Sequence, residues 1–275
     1  MSFSRYSDLD RPPLSEAALN RALVRPGSLW SGVTVVDSTG STNADLAAAA
    51  QAGAEEGAVL VAESQVAGRG RLDRAWSAPP RSGLTFSILL RPTAPALTQG
   101  WLPLLYGVAA ATAVRRLAEV DVRLKWPNDL LIGERKLAGV LAERVDGAVV
   151  IGMGMNVTLR EEEAPVATAT SLGMEKAACL DRDPLLRAVL REVERHYRDW
   201  EQAGGDAEAS GLRAAYLASS ATVGRRVRVE LPGEQAVTGL ATGVDGSGHL
   251  QVDSGERRYT LGAGDVVHVR PAEQA

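Results

Sequence analysis

Four short strand patterns follow one another closely in the middle of the chain, and their spacing constrains the fold strongly. They cover residues 122–126, 129–133, 136–145 and 148–153. A parallel pair of strands needs a connection of about a dozen residues or more, and the gaps here are far shorter. We therefore predict antiparallel strands joined by hairpins in this region.

Helical spacing on both sides of these strands indicates a mixed α and β domain. Leu14, Ala18 and Ala22 share one helical face, and Ser15 is a candidate N-cap. The pattern predicts an α+β fold, with a mixed or antiparallel sheet and flanking helices. The remaining predictions are a helix opened by Ser41 and stopped by Gly53, helices at 98–118, 184–200 and 207–219, strands at 33–36, 58–62 and 84–90, and a loop at 159–178.

The composition changes near Thr222. Valine-rich runs between 223 and 269 are separated by glycine-containing turns such as Pro232-Gly233 and Ser254-Gly255, which is typical of β-hairpins. A small barrel would hide the edges of such strands. We therefore expect an N-terminal extension with one helix at 1–32, a large domain at 33–221, and a C-terminal β-barrel at 222–271.

Composition argues against several classes of protein. The net charge is −4 over 275 residues, so no overall positive field indicates a nucleic-acid partner. The single Cys179 fits a reducing compartment, and the three histidines lack the spacing of zinc ligands. The N-terminus has no signal-like segment, and no apolar run is long enough to span a membrane. We expect a soluble cytoplasmic protein without membrane contact.

A loop after the 58–62 strand pattern concentrates positive charge. Between Gly68 and Arg74 it contains three arginines and two glycines. Glycines let a backbone wrap closely around a ligand, and guanidinium groups suit phosphate or carboxylate. The loop is therefore a candidate anion clamp, although a lone Gly-Arg-Gly-Arg pattern is more typical of a solvated basic turn.

Three further polar clusters interrupt the strand patterns. Lys125-Trp126-Pro127-Asn128-Asp129 could form a simple turn or contact a ribose, an amide edge or a metal. Lys136, in Arg135-Lys136-Leu137-Ala138-Gly139, could point into a site or lie at the solvent edge. The glycines of Gly152-Met153-Gly154-Met155-Asn156 permit close approach of a ligand, although a β-bulge is the commoner cause. Each cluster taken alone favours the structural interpretation.

Together these blocks resemble the biotin–protein ligases in order and spacing, from about Ser38 to the C-terminus. The matching blocks include Gly40-Ser41-Thr42-Asn43 and residues 65–76. One departure concerns the loop, where the family usually has Gly-Arg-Gly-Arg-x-Gly-Arg and this chain has Asp73 in place of the last glycine. The resemblance implies a catalytic core similar to the class II aminoacyl-tRNA synthetases and an SH3-like C-terminal barrel.

The resemblance also implies an activity. Such ligases join biotin and ATP, with Mg²⁺, into biotinyl-5′-AMP and release pyrophosphate. They then transfer biotin to one lysine of a biotin carboxyl carrier protein or domain of an acyl-CoA carboxylase, such as acetyl-CoA carboxylase, or of a pyruvate carboxylase.

Site roles follow by position from the same resemblance. A neutral urea suits neutral hydrogen bonds, whereas two approaching anions need positive charge. The implied biotin-binding residues are Ser41, Thr42, Asn43, Gln65, Arg69, Gly70, Arg71, Lys136, Gly139, Gly152 and Gly154. The implied nucleotide contacts are Arg71, Arg74, Trp76, Lys125, Asn128, Asp129 and Asn156. The catalytic candidates are Lys136, Arg69, Arg71 and Lys125. Asn128 and Asp129 resemble nucleotide or Mg²⁺ contacts, and Asp129 is a candidate contact to the metal.

Two alternatives accompany this interpretation. Lipoate or octanoyl ligases share the fold but lack the Gly-Arg-Gly-Arg loop. A biotin-responsive DNA-binding regulator would need a winged helix-turn-helix of three helices or more, and the residues before Ser41 contain one candidate helix. We therefore expect a ligase without DNA-binding activity.

Overall fold

The computed structural model describes residues 11–72, 74–231 and 235–269, and its described part contains two β-sheets and five α-helices. The strands are β1 (Gly32–Val36), β2 (Ala58–Ala62), β3 (Gly83–Leu90), β4 (Val122–Lys125), β5 (Asp129–Ile132), β6 (Arg135–Val145), β7 (Ala148–Asn156), β8 (Arg226–Glu230), β9 (Ala236–Val244), β10 (Leu250–Asp253), β11 (Arg258–Leu261) and β12 (Asp265–His268). The helices are α1 (Glu16–Leu23), α2 (Thr42–Gln51), α3 (Leu102–Ala118), α4 (Arg182–Gln202) and α5 (Leu212–Ser219).

The larger sheet has the strand order β1-β2-β3-β7-β6-β5-β4. The β1–β2 pair is parallel, and every other pair in it is antiparallel. The hairpins predicted from the close spacing of β4 to β7 are therefore confirmed, as is the mixed α+β architecture.

The two faces of this sheet pack against different helices. Ile88 and Ile151 belong to the main apolar core with α3, whereas Leu89 and Val150 pack with Leu46 of α2. Because neighbouring residues of a strand point to opposite faces, α2 and α3 cover opposite sides. Positions in β7 that share the face of Val150 therefore lie on the α2 side.

The smaller sheet has the order β11-β10-β9-β8-β12, and all its pairs are antiparallel. Its core includes Val227, Val229 and Val252. It contacts the large domain through two indole groups: Trp101 Nε1 donates to Asp245 O at 3.1 Å, and Trp126 Nε1 donates to Gly248 O at 3.1 Å. The two modules are thus joined next to the Lys125–Asp129 cluster.

Some predicted boundaries were wrong. Helix α5 begins at Leu212 rather than at residue 207, and Gly211 before it has a left-handed φ of 74° that helical residues do not adopt. The segment predicted as one helix at 98–118 begins with a 3₁₀ turn at Thr98–Trp101. Strand β7 continues to Asn156, which pairs with Gly83 of β3.

Within the described residues, no helix combines the length and apolar character needed to cross a membrane.

Candidate functional site

A cavity of about 400 Å³ opens on the α2 face of the large sheet. Its floor is formed by β7 and its neighbours, because Gly154 pairs with Thr85 and Gly139, and Gly152 pairs with Ser87 and Leu141. The predicted site residues that line it are Ser41, Thr42, Asn43, Gln65, Arg69, Gly70, Arg71, Arg74, Trp76, Asn128, Asp129, Lys136, Gly139, Gly152, Gly154 and Asn156.

The two glycines of β7 make room for neighbouring side chains. A Cβ on Gly152 would lie 2.0 Å from Asn43 Oδ1, and a Cβ on Gly154 would lie 2.2 Å from Trp76 Cε2. The pairing of β7 with β3 and β6 is regular through both positions, so the β-bulge alternative is wrong. The glycines are needed because Asn43 and Trp76 approach the sheet closely.

One corner of the cavity is polar and neutral. Ser41 caps α2 through a hydrogen bond from Ala44 N, and Ser41, Thr42 and Asn43 at the start of this helix line the cavity. Thr42 donates from N and Oγ1 to Gln65 Oε1, at 2.7 and 3.0 Å, and Ser87 Oγ donates to Asn43 Oδ1 at 2.6 Å. Amide and hydroxyl groups in this arrangement can bind a neutral group with both donors and acceptors.

Another side of the cavity is charged. Lys136 Nζ lies 2.7 Å from Asp129 Oδ1 and 5.9 Å from the centroid of the Trp76 ring. Lys136 therefore faces the cavity, and the alternative of a lysine at a plain solvent edge is wrong. An ammonium group held between a carboxylate and an aromatic face can neutralise an incoming anion.

The arginine loop is a small hairpin over the cavity. Gly70 N donates to Arg74 O at 2.6 Å, and Trp76 N donates to Gly68 O at 2.9 Å. Arg69 Nη2 lies 3.2 Å from Glu143 Oε1 of β6. Asp73 lies outside the described residues, so its predicted effect on the loop stays a prediction.

The C-terminal module contributes to the same site. Arg74 forms an ion pair with Asp265, and Arg71 Nη1 donates to Gly264 O at 3.3 Å and to Asn128 Oδ1 at 3.4 Å. Burial lowers the pKa of the Arg71 guanidinium, while the carboxylates of Asp265 and Asp129 act to raise it. Both modules thus position the arginines of the loop.

Lys125 is the predicted site residue that the structure places outside the cavity lining. Its backbone pairs with that of Asp129 in the ladder between β4 and β5. Its positive charge lowers the pKa of His268, although burial of the His268 imidazole has the larger effect on that pKa. Two predicted amides also have structural bonds: Asn128 Nδ2 donates to Val140 O at 2.8 Å, and Asn156 Nδ2 donates to Thr170 O at 2.9 Å.

Sequence reasoning missed several residues of the site. Thr85, Val166, Ala169 and Asp265 line the cavity, and Ser87 and Glu143 hold residues that line it. Ser87 occupies an ordinary alternating position of a strand, and its polar character was the one available signal. Within the described part of the chain, no group of three or more histidine, cysteine, aspartate or glutamate residues could hold a metal ion.

Comparisons with known proteins show the family to which this chain belongs. Residues 34–158 match the biotin/lipoate A/B protein ligase family, and residues 222–269 match the biotin protein ligase C terminal domain. A biotin–[acetyl-CoA-carboxylase] ligase of Mycobacterium tuberculosis is 45% identical, over 94% of this chain and 97% of its own length. The chain belongs to the biotin protein ligase family.

Other relatives of this ligase-family chain include longer proteins and a solved structure. The bifunctional ligase/repressor BirA of Bacillus subtilis is 31% identical over 84% of this chain and 71% of its own length. The biotin protein ligase from Aquifex aeolicus, solved in complex with biotin and ATP, is 27% identical and has a TM-score of 0.73, over 88% of this chain and 100% of that chain.

Proposed function

We propose that this chain is an ATP-dependent biotin–protein ligase. It forms biotinyl-5′-AMP and pyrophosphate from biotin and ATP, and then transfers biotin to one lysine of a biotin carboxyl carrier protein or domain. The observation that carries the proposal is the cavity itself, which combines a neutral polar corner with a cationic side in one volume of about 400 Å³.

The neutral corner suits the ureido head of biotin. A urea offers two N–H donors and a carbonyl acceptor, and Ser41, Thr42, Asn43 and Gln65 offer hydroxyl and amide groups in one place. Neutral partners of this kind bind a neutral head without leaving an uncompensated charge in the cavity.

The cationic side suits the first chemical step. A biotin carboxylate oxygen attacks the α-phosphorus of ATP, the bond from that phosphorus to the bridging oxygen breaks, and pyrophosphate leaves. Both reactants are anions, so the charges of Lys136, Arg69 and Arg71 lower their repulsion and stabilise the charge that develops. Lys136 is half-exposed in the cavity and can reach a ligand without rearrangement of the core.

Nucleotide contacts are assigned to Arg71, Arg74, Trp76, Asn128 and Asn156, which line the cavity beside the arginine loop. Mg²⁺ commonly binds to one or two carboxylates together with phosphate oxygens, and it would reach the cavity on ATP. Asp129 fits as its protein contact, because this carboxylate lines the cavity next to Asn128, one of the assigned nucleotide contacts. Asp129 also pairs with Lys136, so the metal would compete with that lysine for the carboxylate.

The arginine loop has a second role in protecting the intermediate. An acyl-adenylate is a mixed anhydride that water hydrolyses. Ordered over the ligand, the loop would exclude water until the carrier lysine arrives. In the second step the neutral lysine amine attacks the acyl carbon, AMP leaves, and the amine loses a proton.

We also infer the fold of each module and the cellular compartment of the protein. We infer a core similar to the class II aminoacyl-tRNA synthetases over residues 33–221 and an SH3-like barrel over 222–271, in support of which the smaller sheet has five antiparallel strands. The contacts of Gly264 and Asp265 with the arginine loop give the barrel a part in ligand binding.

The lone Cys179 fits a cytoplasmic location.

The test is transfer to a carrier. The purified protein is incubated with ATP, Mg²⁺ and a biotin carboxyl carrier domain, together with biotin, lipoate or octanoate, and acyl attachment is measured by intact mass. A carrier with its acceptor lysine changed to arginine is the control. We expect biotin to be attached to the parent carrier alone. Attachment of lipoate or octanoate in preference to biotin would favour the lipoate or octanoyl ligase alternative.

A further inference from the structure

Glu143 of β6 lies on the same face of the sheet as the cavity floor. In the β6–β7 pair, Gly139, Leu141 and Glu143 are successive positions on one face, opposite Gly154, Gly152 and Val150. Glu143 therefore follows Leu141, which lines the cavity, and its carboxylate lies at the rim with the side chain 29% exposed.

This carboxylate fixes the orientation of the Asn43 amide. Asn43 Nδ2 lies 2.7 Å from Glu143 Oε2 and 3.2 Å from Leu141 O. An ionised carboxylate and a backbone carbonyl can only accept hydrogen bonds, so the amide nitrogen must face them. The amide oxygen is thereby directed to Ser87 Oγ and to the floor at Gly152.

The same carboxylate holds the arginine loop. Arg69 Nη2 lies 3.2 Å from Glu143 Oε1 and 3.3 Å from Glu143 Oε2. The Arg69 side chain is 48% exposed, so this ion pair alone has a small effect on stability. The position of this ion pair matters more than its strength, because it places Arg69 of the loop beside the carboxylate that also orients the Asn43 amide.

We propose that Glu143 is the positioning residue that fixes the neutral head-binding corner and the arginine loop from one point. The inference rests on the proposed function and names a group that touches no ligand. Asn43 and Arg69 are both donors to this carboxylate, and its Oε2 atom lies within hydrogen-bond distance of both of them. An amide oxygen at that position would still accept from both, so the whole acceptor has to be removed to leave the two partners without it.

The test uses Glu143→Ala and two ligands, biotin and biotinamide, which has no carboxylate. Because biotinamide offers no anion, its binding reports on the head corner and not on a charge pair with Arg69. We expect its affinity to fall about tenfold, the effect of leaving one buried hydrogen bond unmade. ATP affinity should fall less than biotinamide affinity, since the contacts of Glu143 are with Asn43 and Arg69 and not with an assigned nucleotide contact.

The second readout is the loop. Amide hydrogen exchange of residues 67–72 in the ligand-free variant should be faster than in the parent, because Arg69 has lost its carboxylate. Glu208→Ala is the matched control, since Glu208 pairs with the Arg213 guanidinium at 2.6 Å and its side chain is 68% exposed outside the cavity lining. That control should change neither readout.

The outcomes separate the two proposals. Unchanged biotinamide affinity, or unchanged loop exchange, in a folded Glu143→Ala variant overturns the role of Glu143 while leaving the ligase assignment intact. A parent protein that binds neither biotin nor biotinamide overturns the proposed function itself. If the Ala variant does not fold, Glu143→Leu removes the same acceptor and must show both losses for the inference to stand.

Discussion

Lys136 is the residue on which the chemistry of the cavity depends most directly. Its ammonium lies between Asp129 and the Trp76 ring, at the meeting point of the glycine floor and the arginine loop. A cation at this point can contact a carboxylate and a phosphate at once, and its effect is largest when both anions approach.

Lys136→Met should lower the rate of biotinyl-adenylate formation by about 100-fold or more, the scale of losing one preorganised charge contact. The fold should survive because the side chain is half-exposed and carries little core packing. The measurement is single-turnover adenylate formation together with thermal melting. Lys176→Met is the matched control, since Lys176 is exposed and lies outside the cavity lining. An unaltered rate in a folded Lys136→Met protein would remove Lys136 from the mechanism.

Arg69 should help the protein to retain the biotinyl-adenylate intermediate. Without its side chain the loop loses the ion pair with Glu143 and one cation that can face the adenylate. Arg69→Ala should release biotinyl-adenylate faster in the absence of carrier and label nearby lysines non-specifically. Release is followed by filtration and mass spectrometry, with Arg228→Ala, an exposed arginine of β8, as the control. Release as slow as in the parent would show that Arg69 is not part of the clamp.

The arginine loop and the β11–β12 turn act together at the level of elements. The loop has few backbone hydrogen bonds of its own, and its arginines reach Gly264 and Asp265 of the other module. Local order in such a segment depends on side-chain partners, so it is expected to respond to ligand.

Asp265→Asn should therefore loosen the loop. We expect faster amide exchange at residues 69–72 without ligand, because Arg74 loses its charged partner, and slower exchange in both proteins once biotin and ATP are added. Asp253→Asn is the control, since its surface pair with Arg258 lies away from the cavity. Equal, strong protection of the parent loop with and without ligand would mean a preformed site.

Local sequence patterns predicted some of these features, whereas features that depend on sheet register or on packing between modules were not predictable. Strands β4 to β7 were predictable because short gaps force hairpins. The β7 glycines taken alone favoured a β-bulge, and the regular pairing of β7 with β3 and β6 shows that this interpretation was wrong. Glu143 and Asp265 were not, because nothing local marks them. Sheet register brings Glu143 to the cavity face, and packing of the second module brings Asp265 to Arg74. Lys125 shows the reverse case, where a motif lysine lies outside the cavity lining.

At the scale of the whole molecule, the two modules also meet at a junction around His268 of β12. The His268 side chain is 8% exposed and lies 3.2 Å from Thr222 Oγ1, 3.4 Å from Arg225 Nη1 and 3.7 Å from Glu134 Oε2. Burial lowers the pKa of His268, and the charges of Lys125 and Arg225 lower it further, against the opposing effect of Glu134. The junction therefore favours the neutral imidazole.

Stability should fall as pH drops below about 6.5, where the histidine of the unfolded chain takes up a proton that the folded protein resists. His196 has a lowered pKa through burial and Arg195, so it contributes with the same sign. In urea unfolding at pH 7.5 and 5.5, His268→Asn should show a smaller loss of unfolding free energy than the parent. The same loss in both proteins would show that His268 is not responsible.

Formation of the intermediate tests the proposed ligase activity most directly. Purified protein is mixed with biotin, ATP and Mg²⁺ without a carrier, and biotinyl-5′-AMP and pyrophosphate are quantified over time. We expect both products to appear in equal amounts, the adenylate to stay bound to the protein, and neither product to form when biotin is omitted. Biotin-independent release of pyrophosphate, or no adenylate from a folded protein, would contradict it.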